Sequence, residues 1–171
     1  MKTLLLPILF AALAVACKPM PGHQPVPAPT LSLYDQITAP SAAYDSAFAA
    51  RLGADQYGMK KYVMAFLKRG PNRSQDSLTA VNLQKAHLEN INRLAAAGKL
   101  VLAGPFMDNG DIRGIYIFNV STVEEARALT ETDPAIQAGR LAMELHPWYG
   151  PAILPLITPL YKRVEKKNVA D

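Results

Sequence analysis

Gln84–Phe106 reads QKAHLENINRLAAAGKLVLAGPF, and its two halves follow different periodicities. Leu88, Ile91, Leu94 and Ala95 recur at helical spacing, and Gly98 stands where a helix closes on a left-handed residue. Leu100–Ala103 is then a short apolar run stopped by Gly104-Pro105, the pattern of a buried strand. His87 precedes Ile91 by one helical turn and Leu94 by two, so its ring belongs to the core side of the helix. An ionisable ring there is either a hydrogen-bonded core histidine or a working acid–base group.

Outward from this stretch the elements alternate. Lys61–Leu67 (KYVMAFL) is apolar on both faces and predicts a central strand, followed by the turn-rich loop Arg69–Ser77. The helix spans roughly Leu78–Ala97, the next strand Lys99–Ala103, and Gly114–Val120 pairs with it across the turn Met107–Arg113. Ser121-Thr122-Val123-Glu124 has the spacing of a capping box and opens a helix that ends near Thr132. Asp133-Pro134 restarts a helical turn through Ala138, Arg140–His146 makes a last strand, and Pro147–Pro151 breaks it. The order strand, helix, strand, strand, helix, strand predicts an α+β, ferredoxin-like βαββαβ subunit with both helices on one face. A second copy in a homodimer is the simplest cover for the other face.

The ends have a different character. Lys2 and the apolar run Leu4–Val15 make residues 1–16 a secretion signal, too short to span a bilayer. Leu13-Ala14-Val15-Ala16-Cys17 resembles a bacterial lipobox, with Ala14 where leucine is commoner, while Ala14-Val15-Ala16 equally suits ordinary cleavage. A lone cysteine directly after a signal favours lipidation. Cys17 is therefore expected to anchor the chain in a bacterial cell envelope, periplasmic or associated with the outer membrane. Residues 17–40 hold six prolines and read as an extended spacer. Residues 41–58 predict an accessory helix capped by Ser41, carrying Tyr44, Phe48 and Leu52 in a stripe and stopping at Gly58. Residues 61–150 are the folded domain and 151–171 a tail, whose Lys162, Arg163, Lys166 and Lys167 make a solvated basic end.

Composition narrows the function. Of 171 residues half are hydrophobic and 19% are charged, which is the balance of a globular protein with one core. Basic and aromatic residues do not interleave, which argues against nucleic-acid binding. A single cysteine forbids an internal disulfide, and His23, His87 and His146 lack the spacing of metal ligands, so no metal is expected.

His87-Leu88, Gly98-x-Leu100, Ala103-Gly104-Pro105, Gly114, Ser121-x-x-Glu124-Glu125-Ala126 and Asp133-Pro134 form an ordered set. With them, Lys61–Tyr149 resembles the YCII-related family. The resemblance implies a dimeric α+β barrel of ferredoxin-like subunits in which His87 and Asp133 face one pocket. One branch of the family resembles dehydrochlorinases of chlorinated hydroxyhydroquinones, which use no metal or organic cofactor. Imidazole chemistry suits such a task. Its ordinary pKa lies near ambient pH, and a carboxylate on the second ring nitrogen fixes the tautomer. Asp133 before Pro134 is equally a helix cap. His146, Trp148 and Tyr149 are a second group: they either line the mouth of a pocket for a planar ligand, or Trp148 and Tyr149 close the core or the dimer contact. Gly104, Pro105 and Phe106 read as a strand terminator or as backbone that a ligand can approach closely, and Arg73 has the fork to pair a carboxylate. Arg69 and Asp111 read as loop charges facing solvent. The expectation is an anchored lyase- or isomerase-type enzyme acting on a small phenolic or enolisable molecule, or else a dimeric ligand-binding module without chemistry.

Overall fold

The computed structural model describes residues 44–170. The signal, Cys17, the spacer and the Ser41 cap lie outside the described residues. Helix α1 (Ser46–Leu52) begins at Asp45, whose carboxylate accepts from Phe48 N at 2.9 Å. It stops at Gly53 (φ 69°) rather than at Gly58, because Gly53 is the first residue able to take the left-handed turn without a Cβ penalty.

Four strands form one antiparallel sheet: β1 (Met59–Arg69), β2 (Leu100–Pro105), β3 (Ile112–Phe118) and β4 (Leu141–Pro151). Their spatial order is β2-β3-β1-β4, so the doubly apolar β1 is central, as its sequence predicts. Helix α2 (Ser77–Ala96) connects β1 to β2, and α3 (Val123–Thr130) with the short α4 (Pro134–Gln137) connects β3 to β4. This is the ferredoxin-like α+β arrangement.

Alternation along the strands gives two faces. Val63 and Ala65 of β1, Leu100 of β2, and Tyr116 and Phe118 of β3 pack against Leu94 of α2 and Ala126 of α3. Leu94 and Phe118 are fully buried, and each stabilises the fold by roughly 1.5–3 kcal/mol through burial alone. On the second face Tyr62, Val101 and Ile117 gather Trp148 and Leu154 around them. Leu154 belongs to the tail, in the 3-10 turn Leu154–Leu156 ahead of α5 (Ile157–Tyr161). The chain itself thus covers part of the face that the sequence assigns to a second copy.

Both edge strands outrun their expected limits. Gly104 and Pro105 do not stop β2 but pair with Ile115 and Gly114. Likewise β4 runs through Pro147, opposite Val63, to Pro151. Each is an edge strand, where a proline can sit with its missing donor on the unpaired side and interrupt no ladder bond. The capping box is shifted by one residue. Thr122, not Ser121, is the cap, and Glu125, not Glu124, reaches back to it. Ser121 contributes only its backbone N–H, bonded to Glu125 Oε2 at 3.1 Å.

Candidate active site

His87, Asn90 and Leu94 are the buried residues of α2, and their spacing places them on the face turned to the sheet. Leu94 sits in the core while His87, two turns earlier, reaches the edge of it. A polar residue buried there needs partners. Its Nδ1 lies 2.6 Å from Asp133 Oδ2, with the His87 side chain 6% exposed and that of Asp133 0%. The other Asp133 oxygen accepts from Ala135 N at 2.9 Å, capping α4. One carboxylate therefore both closes a helix and contacts the histidine ring.

A second network docks the loop that carries Asp133. Asn90 Oδ1 accepts from Arg93 Nη2 at 2.6 Å and from Thr132 Oγ1 at 3.2 Å, and Arg93 also bonds that hydroxyl at 2.7 Å. Asn90 lies one turn beyond His87, and Thr132 immediately precedes Asp133. These bonds fix the spacing between the two elements of the pair.

Tyr116 of β3 completes the group. Its ring stacks on the imidazole with centroids 6.2 Å apart, and its hydroxyl lies 3.3 Å from His87 Nε2. Burial first, and the Asp133 charge second, push the Tyr116 phenol well above its ordinary value. The hydroxyl stays protonated and donates. In the tautomer whose Nδ1–H donates to the Asp133 carboxylate, Nε2 carries the lone pair that receives this bond.

His87 and Tyr116 line a cavity of about 600 Å³ between α2 and the sheet. Leu67, Leu88, Ile91 and Leu141 give it apolar walls, and Gly104 and Pro105 border it with their backbone. Four arginines also line it: Arg69, Arg73, Arg113 and Arg140. Arg69 follows Leu67 by two residues and shares its face of β1. Arg113 arrives by a bulge. Pairing steps from Leu67–Gly114 to Lys68–Ile112, leaving Arg113 as the extra residue of β3. Strict alternation with Ile115 and Ile117 would turn it to the second face, and the bulge re-aims it. Arg73 and Arg140 are joined by a close backbone approach, in which Gly70 N donates to Arg140 O at 2.9 Å and Arg73 Nη1 to the same oxygen at 3.2 Å.

Of the residues that the sequence suggests, His87, Gly104, Pro105 and Arg73 line this cavity, with Asp133 behind His87. His146, Trp148, Tyr149 and Phe106 do not. His146 and Trp148 pair with Met64 and Tyr62, so their side chains occupy the second face of the sheet, across from His87. There His146 bonds Glu144 at 2.8 Å, and Trp148 packs on Tyr62 with ring centroids 5.8 Å apart. Tyr149 is at the far end of β4, bonded to Asp55, and the half-exposed Phe106 lies past the end of β2. Trp148 thus takes the core-closing alternative, and His146 stands apart from this cavity because β4 continues through Pro147 with its alternation intact, which puts the thickness of the sheet between them. Tyr116, Arg113 and Arg140 were missed. Parity with Phe118 marks Tyr116 as inward, but no sequence signal announces the bulge at Arg113.

Residues 62–148 match the model of the YCII-related domain. No curated protein matches the chain. Among solved structures it is similar to the 5-chloro-2-hydroxyhydroquinone dehydrochlorinase of Burkholderia phenoliruptrix AC1100 in complex with 2,5-dihydroxybenzoquinone. The identity is 22% over 50% of this chain and 92% of that chain, with a TM-score of 0.39.

Proposed function

The chain belongs to the YCII-related family, and from that premise we propose that it is a small acid–base enzyme of lyase or isomerase type. Its substrates are phenolic or enolisable small molecules that enter the cavity beside His87. The observation that supports this most is the buried contact between His87 Nδ1 and Asp133 Oδ2 at 2.6 Å, on a ring that lines a cavity. With Nδ1 held, Nε2 is the nitrogen left for chemistry. It takes a proton from a carbon next to a carbonyl, or from a phenol, and the electron pair released expels a leaving group or forms an enolate. Asp133 stabilises the imidazolium that results, and His87 returns the proton to product or to water. Tyr116, held protonated, gives a hydrogen bond to Nε2 at rest and is placed to give it to a developing oxyanion when substrate is bound.

The test is solvent exchange. In D2O, a panel of enolisable keto acids and halogenated phenols is followed by proton NMR for loss of C–H signal or release of halide. His87→Ala is expected to lower the rate by at least about a hundredfold with circular dichroism unchanged. Undiminished exchange in that variant ends the assignment of His87.

A second reading has one observation in its favour. The Tyr116 hydroxyl already satisfies Nε2, which is what a closed structural network requires. A non-catalytic binding module would bind small molecules in His87→Gln as in wild type and form no product with either.

Tethering through Cys17 in a bacterial envelope belongs to the same proposal, with residues 17–40 as the spacer. Fatty-acid analogue labelling that is equal in wild type and Cys17→Ala removes it. Pairing of two copies across the second sheet face, where Phe66 and Ile115 remain half-buried, is its remaining part. Sedimentation as a monomer at micromolar concentration counts against that.

A further inference from the structure

The cavity beside His87 is lined by Arg69, Arg73, Arg113 and Arg140, and among the described residues no acidic side chain lines it. None of the four forms an ion pair among the described residues, where the bridges join Lys68, Lys85, His87, His146 and Lys162 to carboxylates. Their hydrogen bonds go to neutral acceptors. Arg69 Nη2 reaches Asn109 O at 3.4 Å, Arg113 Nη1 reaches Asp108 O and Gly110 O at 3.2 Å each, and Arg140 Nη1 reaches Gln75 Oε1 at 3.2 Å. Arg73 Nη1 bonds Arg140 O. Those contacts hold the guanidinium groups in place without neutralising them. The Arg73 guanidinium is drawn below its ordinary value by burial first and then by the charges of Arg140, Arg69 and Arg113.

Like charges gathered round one concavity repel, and the field they make inside it is positive. Arginine is the side chain whose planar fork matches carboxylate and phosphate oxygens, and three of these four are brought in by two special backbone features. One is the bulge at Arg113. The other is the approach of Gly70 to Gly139, where a Cβ on Gly70 would lie 2.1 Å from Gly139 O.

We infer that the molecule bound in this cavity carries an oxyanion, a carboxylate or a phosphate, on an apolar body, with the oxyanion held by Arg69, Arg73, Arg113 and Arg140. This rests on reading the His87 cavity as the working site, and it assigns the substrate class within that reading. The apolar body lies against Leu67, Leu88, Ile91 and Leu141, and the anion sets which of its atoms faces His87.

Isothermal titration of the purified chain with phenylacetate, phenyl phosphate and the neutral phenylacetamide tests it. At least one anion is expected to bind ten times or more tighter than the amide, and that affinity falls as salt rises. Which anion wins tells carboxylate from phosphate. Arg73→Gln/Arg140→Gln, with Arg69→Gln/Arg113→Gln as the second variant, is expected to bring the anion within threefold of the amide. His87→Gln is expected to keep the preference, so that a failure of catalysis and a failure of anion recognition are read separately. Equal affinity for all three probes, no binding of either anion at millimolar concentration, or a preference that survives both double variants overturns the inference.

Discussion

Asp133 reaches His87 with one carboxylate oxygen, at 2.6 Å, and Ala135 with the other, at 2.9 Å, so a helix cap and the orientation of an imidazole depend on a single side chain. The division has a consequence for substitution. Asp133→Asn keeps an acceptor for Ala135 N, but the amide nitrogen that then faces His87 is a donor. His87 must offer it a lone pair from Nδ1 and carry its proton on Nε2. Nitrogen-15 NMR of the ring is expected to report the Nδ1–H tautomer in wild type and the Nε2–H tautomer in the variant, with the fold retained. The same tautomer in both would show that Asp133 does not set it.

Asp133→Ala removes both partners at once. Loss of the cap costs about 1 kcal/mol, and a buried ring nitrogen left unpaired costs roughly 1–3 kcal/mol more. Urea unfolding is expected to show a loss of about 2–4 kcal/mol, clearly larger than for Asp133→Asn. A loss below about 1 kcal/mol would mean that water replaces the carboxylate freely.

The shifted capping box separates two adjacent hydroxyls. Thr122 Oγ1 accepts from Glu125 N at 3.2 Å, whereas Ser121 offers only its backbone. Thr122→Ala is expected to cost about 1 kcal/mol and Ser121→Ala almost nothing. The Glu125 carboxyl is held below its ordinary value by the Ser121 N–H first and then by the Thr122 hydroxyl. A depressed acid contributes stability that is present above its unfolded value and lost as pH falls through its folded one. The difference between wild type and Glu125→Gln should therefore shrink on acidification below the ordinary glutamate range. A constant difference from neutral pH to strong acid would contradict the bond.

These elements also show where the sequence was legible. Periodicity located α2 and put His87 on its inner face, since Ile91 and Leu94 carry an unambiguous stripe. The doubly apolar KYVMAFL identified a central strand for the same reason. Proline misled at Pro105 and Pro147, because its cost depends on whether a strand lies at an edge, and that is a property of the whole sheet. The contact of His87 with Asp133 spans 46 residues, and no local pattern encodes it. Of the cavity's arginines the sequence suggested Arg73, and the other three were hidden differently. Each is an ordinary loop or strand-end charge in sequence, and strand alternation at Arg69, the bulge at Arg113 and the glycine approach beside Arg140 bring them to one place.

Gly70 is the tightest point of that assembly. A Cβ there would lie 2.1 Å from Gly139 O and 2.6 Å from the Arg140 carbonyl carbon, both backbone atoms that cannot swing aside. Gly70→Ala must push the β1 end away from the loop after α4, at a cost of about 1–3 kcal/mol. The bonds from Gly70 N to Arg140 O and from Asn72 N to Gly139 O, each 2.9 Å, stretch with it. Amide exchange at these positions is expected to quicken while the core strands keep their protection. Unchanged stability and exchange would show that the loop yields freely.

The tail supplies the last wall. Leu154 packs on the second sheet face, yet Asn168 Oδ1 accepts from Asn92 Nδ2 of α2 at 2.7 Å, so the segment between them passes the β2 edge. Val169, next to that bond, lines the His87 cavity although most of its own surface is exposed. Exposed apolar contact holds a segment weakly, so the asparagine pair carries much of the attachment. A hydrogen bond of this kind is worth about 1 kcal/mol, or roughly a fivefold change in the population of the detached segment. Asn92→Ala is expected to raise amide exchange across residues 162–170 by about that factor and to leave the Leu154 turn unchanged. Because Val169 moves with Asn168, the same variant should widen the cavity mouth and relax discrimination between narrow and bulky anions. Exchange that stays at the wild-type rate would place the attachment in Val169 itself, and Val169→Ser would then be the substitution that frees the tail.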